Sequence, residues 1–341
     1  MSERLEDIAV KMVANGKGLL AADESTSTIK KRFDSINLES TETSRRDYRE
    51  MLFRTDAAMK NCISGVILYE ETLFQKAADG TPFVDLITAA GSIPGIKVDT
   101  GAKPMALHPS EFITEGLDNL YERLRAYHAA GARFAKWRGV ITIGDQRPSW
   151  GSIKANSQSL ARYAALCQQA DIVPIVEPEV MMDGEPATHD IDRCAEVTQH
   201  VLQTVFADLF DARVNLEGMI LKPNMVIDGK KARKASIEEV AERTVKVLKA
   251  TVPASVPGVA FLSGGQSSEE ATAHLSAMVA GYDLPWHLTY SYGRALQETA
   301  LKVWGGKSEN VAAGQRAFQH RAEMNTLAAK GRWKQDLEKA A

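Results

Sequence analysis

The sequence predicts an α/β protein: a single (β/α)8 barrel over residues 1–341 with extra N- and C-terminal helices, the last part, from about residue 305, being a C-terminal helical tail. Three observations lead there. Eight short apolar runs are separated mostly by segments whose apolar residues recur three and four apart. No Gly/Ser-rich linker divides the 341 residues. The first strand-to-helix turn, Ala22-Asp23-Glu24-Ser25, has nothing of the G-x-G-x-x-G that a doubly wound open sheet, the structural alternative, normally brings.

In chain order, Leu5, Ile8, Ala9, Met12 and Val13 mark an amphipathic opening helix, and Gly18–Asp23 is the first strand, followed by a polar turn from Ser25 to Thr28. Further strand-like runs cover Ile63–Tyr69, Gly95–Val98, Arg133–Thr142, Ile172–Val180, Met219–Pro223, Val259–Ser263 and Leu288–Tyr292. Between them lie helical patterns such as Leu117, Leu120, Leu124 and Tyr127, or Ile191, Cys194, Val197, Val201, Leu202, Val205 and Leu209. Ser236 with Glu239, and Ser267 with Glu270, have the spacing of capping boxes that start two of these helices.

Composition bounds the function. With 44% apolar, 25% charged and 7% aromatic residues the chain can bury a full core, and no apolar run approaches the ~20 residues that span a bilayer. The charged opening Ser2-Glu3-Arg4-Leu5-Glu6-Asp7 lacks an apolar signal core, so the expected compartment is the cytoplasm. A net charge of −3 without a basic run predicts no nucleic-acid or membrane partner, and an anionic ligand would need locally gathered cations. Cys62, Cys167 and Cys194 read as reduced core residues.

Lys222 is the first functional candidate. It stands within Gly218-Met219-Ile220-Leu221-Lys222-Pro223-Asn224-Met225-Val226, an apolar run ended by a proline, which places it at the end of a strand. An ammonium removed from water loses hydration that the neutral amine needs less, so burial favours the nucleophilic amine and makes Lys222 a Schiff-base candidate. The plain alternative is a lysine whose stem lies along the strand while its ammonium reaches water.

Strand period supplies its company. In Phe134-Ala135-Lys136-Trp137-Arg138 the two cations share a face, as do Glu177 and Glu179 in Val176-Glu177-Pro178-Glu179. An outward charge pair could explain either strand alone. Outward faces of a barrel are covered by helices, so both pairs are expected inside, near the upper rim, where they can neutralise each other. Asp23, ending the first strand, adds a third carboxylate.

Anion capture has separate signals. Ser263-Gly264-Gly265-Gln266-Ser267 joins a strand to a capped helix and offers backbone N–H groups at a helix start, and Ser291-Tyr292-Gly293-Arg294 brings a fork-shaped donor to the end of the eighth strand. By itself a Gly-Gly turn means only a tight loop. The seven histidines show no H-E-x-x-H or close ligand spacing, so neither a metal nor any cofactor is expected, and the lysine must supply the electron sink.

These residues belong to longer motifs. Leu20-Ala21-Ala22-Asp23-Glu24-Ser25-Thr26, Ala135-Lys136-Trp137-Arg138, Val176-Glu177-Pro178-Glu179, Leu221-Lys222-Pro223-Asn224-Met225, Phe261-Leu262-Ser263-Gly264-Gly265-Gln266-Ser267 and Ser291-Tyr292-Gly293-Arg294-Ala295-Leu296-Gln297 resemble, in order and over nearly the whole chain, class I fructose-1,6-bisphosphate aldolase. The resemblance implies a metal-free glycolytic and gluconeogenic enzyme of the cytoplasm, acting on a sugar phosphate, and a homo-oligomer, commonly a tetramer.

The same resemblance implies the roles. Lys222 matches the imine-forming lysine and Glu177 the proton acceptor and donor, while Asp23 and Lys136 match partners of the reacting hydroxyls, with Glu179 beside them. Ser263, Gly264, Gly265, Ser291 and Arg294 match the groups around one phosphate, and Arg32, Lys97, Ser25 and Thr28 those around the other. Lys136 and Arg138 are expected to supply a positive field that keeps Lys222 deprotonated. Ser27 stands where the family usually has glycine, and Val98-Asp99-Thr100-Gly101-Ala102-Lys103 departs from the animal pattern. No tyrosine follows Tyr292, and the tail residues Lys334, Asp336, Glu338 and Lys339 read as a solvated helix end without a catalytic part. Two rivals remain: another Schiff-base barrel enzyme such as a transaldolase, which needs one phosphate site, and a non-catalytic barrel, which would be expected to lose Lys222 or Glu177.

Overall fold

A computed structural model describes residues 3–339. Met1 and Ser2 of the charged opening and Ala340 and Ala341 of the tail lie outside the described residues. The strands are β1 (Gly18–Ala22), β2 (Ile63–Leu68), β3 (Ile93–Lys97), β4 (Gly101–Pro104), β5 (Phe112–Glu115), β6 (Phe134–Thr142), β7 (Val173–Met181), β8 (Ile220–Leu221), β9 (Gly258–Phe261) and β10 (His287–Tyr292). Eight of them close a parallel barrel in the order β1-β10-β9-β8-β7-β6-β3-β2, and β4 pairs antiparallel with β5 as a separate hairpin. Closure is made by Leu19 beside Ser291 and Leu20 beside Tyr292.

The inward face follows the two-residue period. Leu19, Ala21, Ile67, Phe134, Val173, Ile175, Ile220 and Ala260 form one buried cluster with Ile8, Ala9, Met12 and Val13 of helix Leu5–Val13, which plugs the end where the strands start. Phe134 fills that floor so closely that a Cβ on Gly95 would lie 2.2 Å from its ring. The outward face is apolar under its helices: Trp137 meets Tyr163 of helix Trp150–Gln169 at 5.6 Å between ring centroids. The face assignment of Lys136 and Arg138 rests on this division, since Ala135 and Trp137 take the outward side.

Several boundaries differ from the sequence expectation. β8 is only Ile220–Leu221, because Pro223 has no N–H to continue the ladder. Leu117 precedes its helix, which starts at Leu120 after Asn119 in the left-handed region (φ 52°). Ser267 and Glu270 form the reciprocal capping box, whereas Ser236 caps the helix Ile237–Thr251 and the Glu239 side chain turns to Arg233 instead (2.6 Å). The β4–β5 hairpin was not anticipated; its strands are short and β4 is largely exposed.

The tail also differs. Glu338 is not solvated: its carboxylate pairs with Arg321 and accepts from Trp333 Nε1 at 2.8 Å, and both charged side chains are less than a tenth exposed. Arg321 gives the segment Gln335–Lys339 a partner on helix Val311–Ala328, and Trp333 a second one just before the segment, neither of which its composition reveals. Cys62, Cys167 and Cys194 are buried free thiols, and burial pushes Cys194 up to about 12. Among the described residues no helix is long and apolar enough to cross a membrane.

Candidate active site

A cavity of about 820 Å³ opens where the barrel strands end. Asp23 enters it just after β1, Lys136 and Arg138 from β6, Glu177 and Glu179 from β7, and Lys222 just after β8. The backbone N–H of Lys222 donates to Val176 O at 2.8 Å, and Asn224 Oδ1 accepts from Val180 N at 3.0 Å, so the irregular chain beyond β8 stays bound to β7.

Glu177 lies between two ammonium groups. Its Oε1 is 3.2 Å from Lys222 Nζ and its Oε2 is 3.3 Å from Lys136 Nζ, with all three side chains about 95% buried. The Oε2 atom has no aligned hydrogen bond despite its burial, which leaves acceptor capacity facing the cavity. Lys136 Nζ also reaches Asp23 Oδ2 at 2.8 Å. Burial acts to raise the Asp23 pKa, but the charge of Lys136, then that of Lys222, a hydrogen bond from Lys136 and the charge of Lys97 outweigh it and hold Asp23 below the ordinary carboxylate range. For Lys136 burial is likewise the largest influence, and Asp23, Glu177 and Asp99 overcome it to keep the ammonium charged.

Arg138 is paired directly with Glu179. The expected positive field from Lys136 and Arg138 is thereby corrected: Asp23, Glu177 and Glu179 match Lys136, Arg138 and Lys222 one for one. The same holds at the cavity's other edge. Arg32 is paired with the buried Glu24, and Lys97 Nζ contacts Asp99 Oδ1 at 2.6 Å, so neither is a free cation. Ser25 caps the helix Thr26–Asp34, and its Oγ lies 3.1 Å from both Ser27 Oγ and Thr28 Oγ1.

Ser263, Gly264, Ser291 and Arg294 also line the cavity, where the buried Ser291 Oγ has no hydrogen-bond partner and Arg294 is exposed. Gly265 does not line this cavity. Its φ of +78° turns the chain away, and a Cβ there would lie 2.5 Å from Met182 on the far side of the loop. Sequence reasoning missed Glu24, Lys31 and Asp99. Asp99 was findable, because it stands two residues from Lys97, the same spacing that singled out the other pairs. Glu24 carried no such signal. Among the described residues no group of three or more His, Cys, Asp or Glu side chains is arranged to hold a metal ion.

The family model described as fructose-bisphosphate aldolase class-I matches residues 4–341. The chain belongs to the class I fructose-bisphosphate aldolase family. It is 55% identical to the "Probable fructose-bisphosphate aldolase class 1" of Xanthomonas axonopodis, over 97% of this chain and 99% of that one. With the cytosolic fructose-bisphosphate aldolase 6 of Arabidopsis thaliana it shares 52% identity over 99% of this chain and 96% of the relative. The solved structure of the Plasmodium falciparum aldolase, in complex with TRAP and a small molecule inhibitor, superposes with a TM-score of 0.93 at 50% identity, covering 97% and 95% of the two chains. Class I aldolase activity, a lyase reaction on fructose 1,6-bisphosphate, goes with that membership, and the closed eight-stranded barrel is the family's fold.

Proposed function

We propose that Lys222 forms the Schiff base through which this class I aldolase reversibly cleaves fructose 1,6-bisphosphate to dihydroxyacetone phosphate and glyceraldehyde 3-phosphate, serving glycolysis and gluconeogenesis. The observation that carries this reading is the 3.2 Å approach of Lys222 Nζ to Glu177 Oε1 inside a buried, charge-matched cluster. A proton passed from Lys222 to Glu177 leaves a neutral amine, which attacks the C2 ketone. Glu177 returns that proton to the carbinolamine hydroxyl, water leaves, and an iminium forms. Glu177 is then a carboxylate again and takes the C4 hydroxyl proton while the C3–C4 electron pair moves into the iminium. Glyceraldehyde 3-phosphate departs, the enamine carbon is protonated, and hydrolysis frees dihydroxyacetone phosphate and Lys222.

The neighbours have distinct parts. Asp23, held below the ordinary carboxylate range, accepts hydrogen bonds from substrate hydroxyls without taking their protons, and Lys136, held charged, stabilises the developing oxyanions. Arg138 and Glu179 orient each other. Ser263, Gly264, Ser291 and Arg294 hold one phosphate, with Gly265 shaping the turn. Ser25, Thr28, Arg32 and Lys97 receive the other, a phosphate exchanging places with Glu24 and Asp99 as the partner of Arg32 and Lys97.

The compartment we assign is the cytoplasm, supported by a relative named cytosolic and by three free cysteines. A homo-oligomer fits the exposed Phe210 and Leu107, which are 80% and 99% accessible in the isolated chain.

Borohydride reduction in the presence of dihydroxyacetone phosphate tests the mechanism. A stable added mass is expected on Lys222, and label on a different lysine, or none, would sink it. Lys222→Arg should abolish both labelling and cleavage, since a guanidinium stays protonated. Cleavage of fructose 1,6-bisphosphate in preference to fructose 6-phosphate separates this activity from that of a transaldolase.

A further inference from the structure

Behind the phosphate loop lies a second cavity of about 670 Å³ that the mechanism does not use. The Gly264–Gly265 turn separates the two spaces: Gly264 faces the catalytic cavity, Gly265 faces the second, and Arg294 lines both. Its inner wall carries a built polar group. Gln266 is 5% exposed, its Oε1 accepts from His274 Nδ1 at 2.7 Å, and its Nε2 is a buried donor with no partner. An amide N–H left unpaired in such a place marks a position for an acceptor. Burial pushes His274 down to about 4, so it is neutral and its Nδ1 is the donor in that bond.

Charge and shape describe the acceptor. Three of the acids around the cavity are already occupied: Asp228 accepts from the backbone of Ile191 and Ala235, Glu270 from Lys234 and Ser267, and Glu298 pairs with Lys302. Lys230 and Arg294 have no carboxylate at ion-pair distance among the described residues, and the exposed Asp183 is the sole acid left to oppose them. The remaining wall, Ile227, Ile237 and Val240, is apolar.

We propose that this cavity binds a small organic anion, a phosphate or carboxylate carried on an apolar body, with the charged end on Arg294, Lys230 and Gln266 Nε2 and the body against Ile227, Ile237 and Val240. An occupant draws Arg294 away from the catalytic cavity and presses on the back of the Gly264–Gly265 turn, so it raises KM for fructose 1,6-bisphosphate. That effect rests on the assignment of Arg294 to a substrate phosphate.

Steady-state cleavage of fructose 1,6-bisphosphate with phenyl phosphate, and with inorganic phosphate lacking the apolar body, tests it. Phenyl phosphate is expected to inhibit at least about tenfold more strongly than inorganic phosphate, by raising KM. Ile237→Asp, at a position 40% exposed, puts a negative charge into the cavity and should raise the inhibition constant about tenfold or more while leaving uninhibited kcat and KM as they were. Gln266→Leu should weaken inhibition in the same direction. Inhibition unchanged in Ile237→Asp would put the anion in the catalytic cavity and overturn the proposal, as would phenyl phosphate that does not inhibit at all. Borohydride labelling of Lys222 reads the catalytic assignment independently of either result.

Discussion

Lys136 Nζ lies 2.8 Å from Asp23 Oδ2, tying β6 to the end of β1 across the mouth of the barrel. The contact stiffens the cavity between strands that are not neighbours in the sheet. It also keeps Asp23 ionised, because a burial effect that would protonate the carboxyl is outweighed by the adjacent ammonium.

Replacing Asp23 with asparagine removes that charge while keeping the shape. We expect kcat/KM for fructose 1,6-bisphosphate to fall roughly 10²-fold, as substrate hydroxyls and Lys136 lose their common anchor. Retention of full activity would remove Asp23 from the site.

The same pair has a pH signature. Asp23 binds fewer protons folded than unfolded, so its stabilising contribution is complete above the ordinary value of 3.8 and fades as pH falls from there toward the folded value. Thermal melts should therefore show the native chain losing stability relative to Asp23→Asn below about pH 4, with a constant difference around neutrality. A difference that grows with acidity contradicts the assigned direction.

Arg294 is exposed where it lines the catalytic cavity, and the role proposed for it is to hold a substrate phosphate. Arg294→Ala should raise KM for phosphorylated ketoses about tenfold or more with little change in kcat, the pattern of lost uniform anion binding. An unchanged KM moves the phosphate elsewhere.

Prolonged EDTA treatment should leave cleavage intact, since the imine polarises the substrate and the described residues offer no ligand cluster. Activity lost to the chelator and restored by zinc would refute this.

Glu338→Ala tests the docked tail. It strands the guanidinium of Arg321, 6% exposed, which also donates to Thr272 Oγ1 at 2.7 Å. Breaking a buried pair from one side costs about 3–5 kcal/mol, so a fall of several degrees in Tm is expected, with borohydride labelling of Lys222 unchanged below the melt. A Tm equal to that of the native chain would return the tail to solvent.

Much of the architecture was legible because it is periodic. Alternation along β6 and β7 determined that Lys136 with Arg138, and Glu177 with Glu179, would each share a face, and Pro223 determined that a strand would end beside Lys222. Those are local consequences of backbone geometry, readable within ten residues. Which cation meets which carboxylate was decided only in three dimensions. Arg138 takes Glu179 and Lys136 is shared between Asp23 and Glu177, because strand stagger brings together atoms more than forty residues apart in sequence. Tertiary packing likewise turned Gly265 away from the catalytic cavity and docked Glu338 on Arg321. Ion-pair energy depends on separation and burial, and a sequence states neither until the barrel closes.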